Sequence, residues 1–169
     1  MKTKKLTVLA LLSAIALTIF VLEAQIPPLV PIPGVKLGLA NIVTVFTVFA
    51  FRGRDGAAVL AVRVFLGAVF AGNFSTIFYS AAGGILAISV TIGLKRILTE
   101  NQLWVAGVAG AIAHSIGQML MAIVLTRTPG LVSYLPIMLL CSIITGIFTG
   151  LCAQFVLKRG EQLWTTFLK

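Results

Sequence analysis

The sequence predicts an all-α integral membrane protein with a single domain of six transmembrane helices, residues 1–169. Three observations support this prediction. Hydrophobic residues make up 59% of the chain and charged residues only 10%, whereas a soluble domain carries about 25% charged residues. The apolar residues fall into six long runs. The basic residues stand almost entirely at the ends of those runs, as is typical of membrane proteins.

The six runs define the predicted spans, which are residues 6–22, 37–51, 57–72, 77–94, 103–125 and 134–157. A transmembrane helix needs about 20 apolar residues, with about 17 as the lower limit. The second and third runs are short by that measure, so they either absorb flanking residues or form a re-entrant pair. Residues 52–56 are polar and predict a tight turn between them. The first run is longer than the apolar part of a secretion signal, which favours a retained helix.

The basic residues orient the chain in the membrane. The sequence has 13 Lys and Arg against four Asp and Glu, a formal charge of +9. If the N-terminus is cytoplasmic, ten of the basic residues lie in cytoplasmic segments, Lys36 and Arg127 lie outside, and Arg63 lies within the third run. The positive-inside rule therefore predicts that both termini face the cytoplasm, with the protein in the cytoplasmic membrane. The chain has too few polar residues for a nucleic-acid partner, so its expected surroundings are the lipid bilayer.

Small residues recur at every fourth position in several runs. They are Ala10 and Ala14 in the first run, Ala82, Gly83, Gly84 and Ala87 in the fourth, Gly107, Ala111 and Ser115 in the fifth, and Ser142, Gly146 and Gly150 in the sixth. Because lipid gives no hydrophobic driving force between helices, close helix packing relies on such residues. The pattern predicts packing faces on the fourth, fifth and sixth helices, whereas the alanine pair of the first helix carries little weight by itself.

Residues 23–36, between the first two runs, are apolar and contain four prolines. Proline interrupts a regular helix because it lacks an N–H and its ring clashes with the preceding turn. An apolar segment outside the membrane is expected to be covered from water by the rest of the protein or by lipid. We consider two interpretations, a lid over an outward-facing cavity and a loop that rests on lipid headgroups.

Polar residues within apolar runs are candidates for function, because they are expensive to bury in lipid. The candidate ligand-binding residues are Glu23, Lys36, Asn41, Arg63, Asn73, Tyr79, His114 and Gln118. Gln118 lies four positions after His114, so the two residues share one helix face. For these two residues and Asn41, hydrogen bonding between helices is the alternative role.

Arg63 is the strongest single indication of a functional residue in the apolar runs. It lies about six residues, or about 9 Å, into the third run. Its side chain either reaches the membrane surface, pairs with Glu23, or binds an anionic ligand.

Two blocks of sequence, residues 33–43 and residues 107–118, resemble the Gx transporter family, which is also named heptaprenyl diphosphate synthase component I. Arg63 and residues 79–84 also fall where that family has them, and the resemblance covers nearly the whole chain. Ser115 departs from the pattern, which has Asn at that position.

The family resembles the substrate-binding S components of energy-coupling factor (ECF) transporters. This resemblance implies a six-helix bundle with a ligand pocket near the outer face, covered by the loop between the first two helices. It also implies that Ala10 and Ala14 dock onto a transmembrane coupling subunit, which is driven by two ATPases.

The sequence does not support an enzyme. A prenyl diphosphate synthase needs clustered aspartates to hold magnesium on the diphosphate, and Asp55 is the only aspartate in the chain. We therefore predict a non-catalytic protein without a cofactor. Its ligand is a small molecule that is anionic, as Lys36, Arg63 and Arg127 suggest, or related to prenyl compounds, quinones or vitamins. The alternative is a membrane partner of a prenyl diphosphate, quinone or electron-transfer system.

Overall fold

A computed structural model of the chain describes residues 2–26, 38–72 and 74–168. The described elements are all helical, and they include the six predicted helices. The α-helices are α1 (Lys2–Glu23), α2 (Asn41–Ala50), α3 (Gly53–Ala71), α4 (Ser75–Leu94), α5 (Leu103–Thr126) and α6 (Leu135–Leu168). Short 3₁₀ helices at Glu100–Gln102 and Pro129–Tyr134 precede α5 and α6.

Four of the described segments are long and apolar enough to cross a membrane. They are Thr3–Glu23, Ser75–Leu94, Glu100–Thr126 and Pro129–Gly160. The remaining two α-helices differ from these four. Helix α2 is apolar but has only 10 residues, about 15 Å at 1.5 Å per residue, while α3 has 19 residues and contains three charged side chains. The chain is thus a helical membrane protein with two unusual helices in the middle.

The predicted turn over residues 52–56 is wrong, because α3 already begins at Gly53. Arg52 has an extended backbone and serves as the N-cap of α3. Its backbone N–H donates a hydrogen bond of 3.1 Å to Oδ2 of Asp55, three residues later. This carboxylate satisfies a donor that the helix start would leave unpaired, so the polar residues extend the helix instead of forming a turn.

Polar contacts join the helices at the predicted cytoplasmic end of the bundle. Nζ of Lys5 on α1 lies 2.7 Å from Oδ2 of Asp55 on α3. Nζ of Lys95, directly after α4, donates hydrogen bonds to three carbonyl oxygens at the end of α2. Those carbonyls belong to Val48, Phe49 and Phe51, at 2.5, 3.2 and 2.7 Å. Burial lowers the pKa of Lys95, and the nearby negative charge of Asp55 opposes that shift.

The same end contains the largest described apolar cluster, in which buried side chains from five helices meet, including Val59 of α3. Leu12 comes from α1, Phe46 from α2, Leu103 from α5 and Leu157 from α6. Leu103 is the first residue of α5, whereas Leu157 lies late in α6. These contacts place the starts of α1, α3 and α5 beside the ends of α2, α4 and α6, so the helices alternate in direction.

Glycines bring α5 into close contact with α6, which confirms the packing faces predicted on these two helices. A Cβ at Gly107 of α5 would lie 2.5 Å from the carbonyl oxygen of Gly146 and 2.6 Å from Cα of Gly150, both on α6. Farther along the same pair of helices, the hydroxyl oxygens of Ser115 and Ser142 lie 2.5 Å apart in a buried hydrogen bond. Backbones can approach this closely only where side chains are absent.

Candidate functional site

Five of the predicted ligand-binding residues are buried polar side chains of the described structure. They are Glu23, Asn41, Arg63, His114 and Gln118, and none is more than 5% exposed. The five come from four helices, α1, α2, α3 and α5. We refer to them, together with Thr44, as the polar cluster.

Gly38 connects three of these side chains. Its backbone N–H donates a hydrogen bond of 2.5 Å to Oε1 of Glu23. A Cβ at Gly38 would lie 3.0 Å from Nδ2 of Asn41 and 3.3 Å from Cδ2 of His114, and the backbone φ here is +81°. Both the close approach and the left-handed conformation favour glycine at this position. Gly38 thus brings the end of α1, the start of α2 and the middle of α5 together.

Gly83 of α4 packs against α5 at His114 and Gln118. A Cβ at this glycine would lie 2.9 Å from Cε1 of His114, 2.9 Å from Cγ of Gln118 and 2.8 Å from the His114 carbonyl oxygen. The two side chains, which lie one turn apart, therefore both pack against Gly83. The predicted shared face of His114 and Gln118 is the face that α4 covers.

Arg63 lies deeper in the bundle than the sequence suggests. Because α3 begins at Gly53, Arg63 is ten residues, or about 15 Å, from the start of its helix. Only 3% of it is exposed, so the interpretation that it reaches the membrane surface is wrong. The carboxylate of Glu23 acts electrostatically on its guanidinium, which in turn acts on the imidazole of His114.

Buried polar atoms without a hydrogen-bonding partner are concentrated in the polar cluster. Within the described ranges these atoms are Asn41 Oδ1, Asn41 Nδ2, Thr44 Oγ1, Arg63 Nε, His114 Nδ1 and Gln118 Oε1, and Gln154 Oε1 is a further one outside the cluster. Leaving such an atom unsatisfied typically costs about 1–3 kcal/mol. Six such atoms on five side chains make the polar cluster the candidate binding site of the described structure.

Sequence reasoning missed Thr44. It lies three residues after Asn41, so the two side chains share one face of α2. A threonine hydroxyl in a helix usually bonds to a carbonyl of the preceding turn, as Thr47 does to Val43. A single threonine in an apolar run therefore gives no functional signal, and only its missing partner in the structure identifies it.

The remaining predicted site residues lie elsewhere. Tyr79 of α4 packs in an apolar cluster with Met119, Ala122 and Met138. Lys36 and Asn73 lie outside the described residues, as does most of the predicted lid, residues 27–36.

The predicted docking residues Ala10 and Ala14 are exposed on α1. Thr7 and Thr18 are also exposed, and at spacings of three and four residues they continue the same face. Both hydroxyls bond to carbonyl oxygens of the preceding turn of α1. This small-residue face therefore presents no unpaired side-chain donor to its surroundings.

A comparison with models of protein families gives one match, to a family described as heptaprenyl diphosphate synthase component I, over residues 12–156. No curated protein and no solved structure matches the chain. The matched range contains every residue of the polar cluster, together with most of α1, all of α2 to α5 and most of α6. The chain therefore belongs to the heptaprenyl diphosphate synthase component I family, also called the Gx transporter family.

Proposed function

We propose that the protein is the substrate-binding subunit of an ECF-type uptake transporter for a small prenyl-, quinone- or vitamin-related molecule. In this proposal all six helices lie in the cytoplasmic membrane with both termini in the cytoplasm. The polar cluster holds the ligand, α1 docks onto a coupling subunit, and two separate ATPases supply the energy. The chain itself catalyses no reaction.

The observation that supports a binding role is the group of six unpartnered polar atoms on Asn41, Thr44, Arg63, His114 and Gln118. Polar residues that only join helices are bonded to each other, as Ser115 is to Ser142. The cluster residues instead keep donors and acceptors that neighbouring helices do not use. Such groups are expected where a ligand supplies the missing partners.

The small-residue face of α1 supports a docking role. Ala10 and Ala14 are exposed, and the helix has bulky exposed neighbours such as Leu6 and Leu11. Small residues between larger ones leave a shallow groove into which another helix can pack closely.

The binding role can be tested by identifying small molecules that are extracted from the purified protein. The Asn41→Leu/Gln118→Leu variant should lose the molecule that the wild-type protein retains. Thr91→Val is a matched control, because Thr91 is equally buried but bonds to the carbonyl of Ala87 within its own helix. Retention of the molecule by the double variant, or its loss from the control alone, would contradict the proposed site.

The transport role can be tested by co-expression with an ECF coupling subunit and its ATPases. Ala10→Leu/Ala14→Leu should abolish co-purification of the coupling subunit and ATP-dependent uptake, while ligand binding persists. Ala57→Leu/Ala61→Leu is the control, since those alanines are exposed at the same spacing on α3. If the coupling subunit co-purified equally with both variants, the result would contradict the docking role.

The family description favours a second candidate, a non-catalytic membrane partner of a heptaprenyl diphosphate synthase. Asp55 could not hold magnesium alone, and it already contacts Lys5 and the Arg52 amide. This candidate predicts co-purification with a soluble synthase subunit and no ATP-dependent uptake. The opposite pattern would exclude it.

A further inference from the structure

We infer that the ligand head in the polar cluster is an uncharged group that carries N–H and C=O side by side, as in an amide, a lactam or a ureide. This inference rests on the proposed binding function and specifies its substrate class. It replaces the anionic ligand that the basic residues of the outer half suggest. Three features of the cluster support it.

The first feature is charge balance. The guanidinium of Arg63 interacts with the carboxylate of Glu23, so the cluster already contains an anion for its cation. Asn41, Thr44 and Gln118 are uncharged, so Glu23 and Arg63 carry the opposite fixed charges of the cluster. An anionic ligand would add a second negative charge beside Glu23 in an environment of low dielectric constant, where like charges repel strongly.

The second feature is the occupied start of α2, which faces the cluster. A helix N-terminus can bind an anion through its free N–H groups. Here the N–H groups of Asn41, Ile42 and Val43 donate to the carbonyl oxygens of residues 38–40, at 2.9, 3.1 and 3.3 Å. The N–H of Gly38 donates to Glu23. These amides are thus already used and are not available to a phosphate or carboxylate.

The third feature is the mixture of donors and acceptors among the unpartnered atoms. Asn41 Oδ1 and Gln118 Oε1 can only accept hydrogen bonds, whereas Asn41 Nδ2 and Arg63 Nε can only donate. Thr44 Oγ1 and His114 Nδ1 can do either, depending on where their protons lie. A carboxylate or a fully ionised phosphate only accepts, so it would face the two carbonyl oxygens without a donor. A group with adjacent N–H and C=O satisfies both kinds of atom.

The inference can be tested with pairs of probes that have the same shape but differ in charge. Benzamide is compared with benzoate, nicotinamide with nicotinate, and inorganic diphosphate is added as a third anion. Binding to the full chain in lipid nanodiscs, after removal of co-purified molecules, is measured by saturation-transfer NMR. We expect each amide to bind at least tenfold more tightly than its carboxylate, and diphosphate not to compete. Asn41→Leu/Gln118→Leu should remove the binding of amides, and Thr91→Val should preserve it.

Charge variants provide a second measurement. Glu23→Gln removes the anion that balances Arg63, so it should shift the preference toward the carboxylate of each pair. Glu23→Gln/Arg63→Met restores the balance and should return the preference to the amide. An unchanged preference in Glu23→Gln would contradict the role of charge balance, and tighter binding of carboxylates or diphosphate to the wild-type protein would overturn the inference.

The same inference fails if neither member of any pair binds and mass spectrometry identifies the co-purified molecule as an anion. ATP-dependent uptake of an anion through this protein would overturn the inference alone and leave the transport function intact. Binding of amides without any association with ECF subunits would overturn the transport function alone.

Discussion

Replacing Gly107 by alanine tests the close packing of α5 on α6. The added Cβ would lie 2.5 Å from the carbonyl oxygen of Gly146, 2.6 Å from Cα of Gly150 and 2.8 Å from its nitrogen, whereas ordinary van der Waals contact begins at 3.4 Å. All three atoms belong to the backbone, so no side chain can rotate away. The two helices must therefore separate by about 1 Å, a gap that forfeits a quarter to a half of the dispersion energy of each affected contact.

Overpacking of this kind costs about 1–3 kcal/mol in protein cores. We expect Gly107→Ala to lower the free energy of unfolding by about 2–3 kcal/mol, because the clash is with backbone on both sides. The measurement is unfolding of the purified protein in mixed micelles by SDS titration, followed by circular dichroism.

Gly93→Ala is the matched control for this experiment. Gly93 lies in the last turn of α4, and a Cβ there would meet nothing within 4 Å. Alanine in a helix is favoured over glycine by roughly 0.5–1 kcal/mol, so this variant should be unchanged or slightly more stable. Equal effects of the two substitutions would refute the proposed role of the α5–α6 contact.

Three further predictions concern polar contacts, each measured by the same SDS titration. Lys95→Met should lower the free energy of unfolding by about 1–2 kcal/mol, because the carbonyls at the end of α2 lose their donor; an unchanged value would contradict this. A double-mutant cycle of Lys5→Ala and Asp55→Ala should give a coupling of about 0.2–1 kcal/mol that weakens with added salt, and a salt-independent coupling would contradict an ion pair that solvent reaches in part. A cycle of Ser115→Ala and Ser142→Ala should give a coupling of about 0.6 kcal/mol, and zero coupling would show that the hydrogen bond adds no stability.

Arg96→Met controls for the loss of positive charge at the predicted cytoplasmic end. Arg96 is exposed and directly follows Lys95. We expect a change within about 0.5 kcal/mol, as for other exposed positions. If Arg96→Met lowered the free energy of unfolding by more than this, the effect of Lys95→Met would be due to the loss of net charge and not to the carbonyls of α2.

The helices could be predicted from the sequence because apolar runs are their main signal. The bounds of the predicted spans 77–94 and 103–125 agree with those of α4 and α5 to within two residues. Helix ends that lie outside the apolar runs could not be predicted in this way. Helix α6 continues beyond the end of the predicted span, residue 157, to Leu168, because polar side chains such as Lys158 and Arg159 form helices readily. Hydropathy indicates which residues could lie in a membrane, whereas helix propensity allows the helix to extend past those residues.

The site could be predicted only in part. Glu23, Asn41, Arg63, His114 and Gln118 stand out as polar residues in apolar surroundings, and the structure buries all five. Which helices face each other follows from packing, which a single sequence does not contain. Gly38 and Gly83 determine that arrangement through contacts with residues 15 to 76 positions away. The sequence places Gly83 on a packing face without identifying its partners on α5, and it does not show that Gly38 contacts His114.

The close contact of α5 with α6 also has a kinetic consequence. The two helices adjoin in sequence and are joined by a short segment that contains the 3₁₀ helix Pro129–Tyr134, so closing this hairpin sacrifices little chain entropy. The contact of Lys5 with Asp55 joins residues 50 positions apart and cannot form until the start of α3 has been synthesised. We therefore expect the contact between α1 and α3 to form late, after the whole of α2 and the start of α3 have followed α1. Helices α5 and α6, in contrast, can assemble as soon as both have been synthesised.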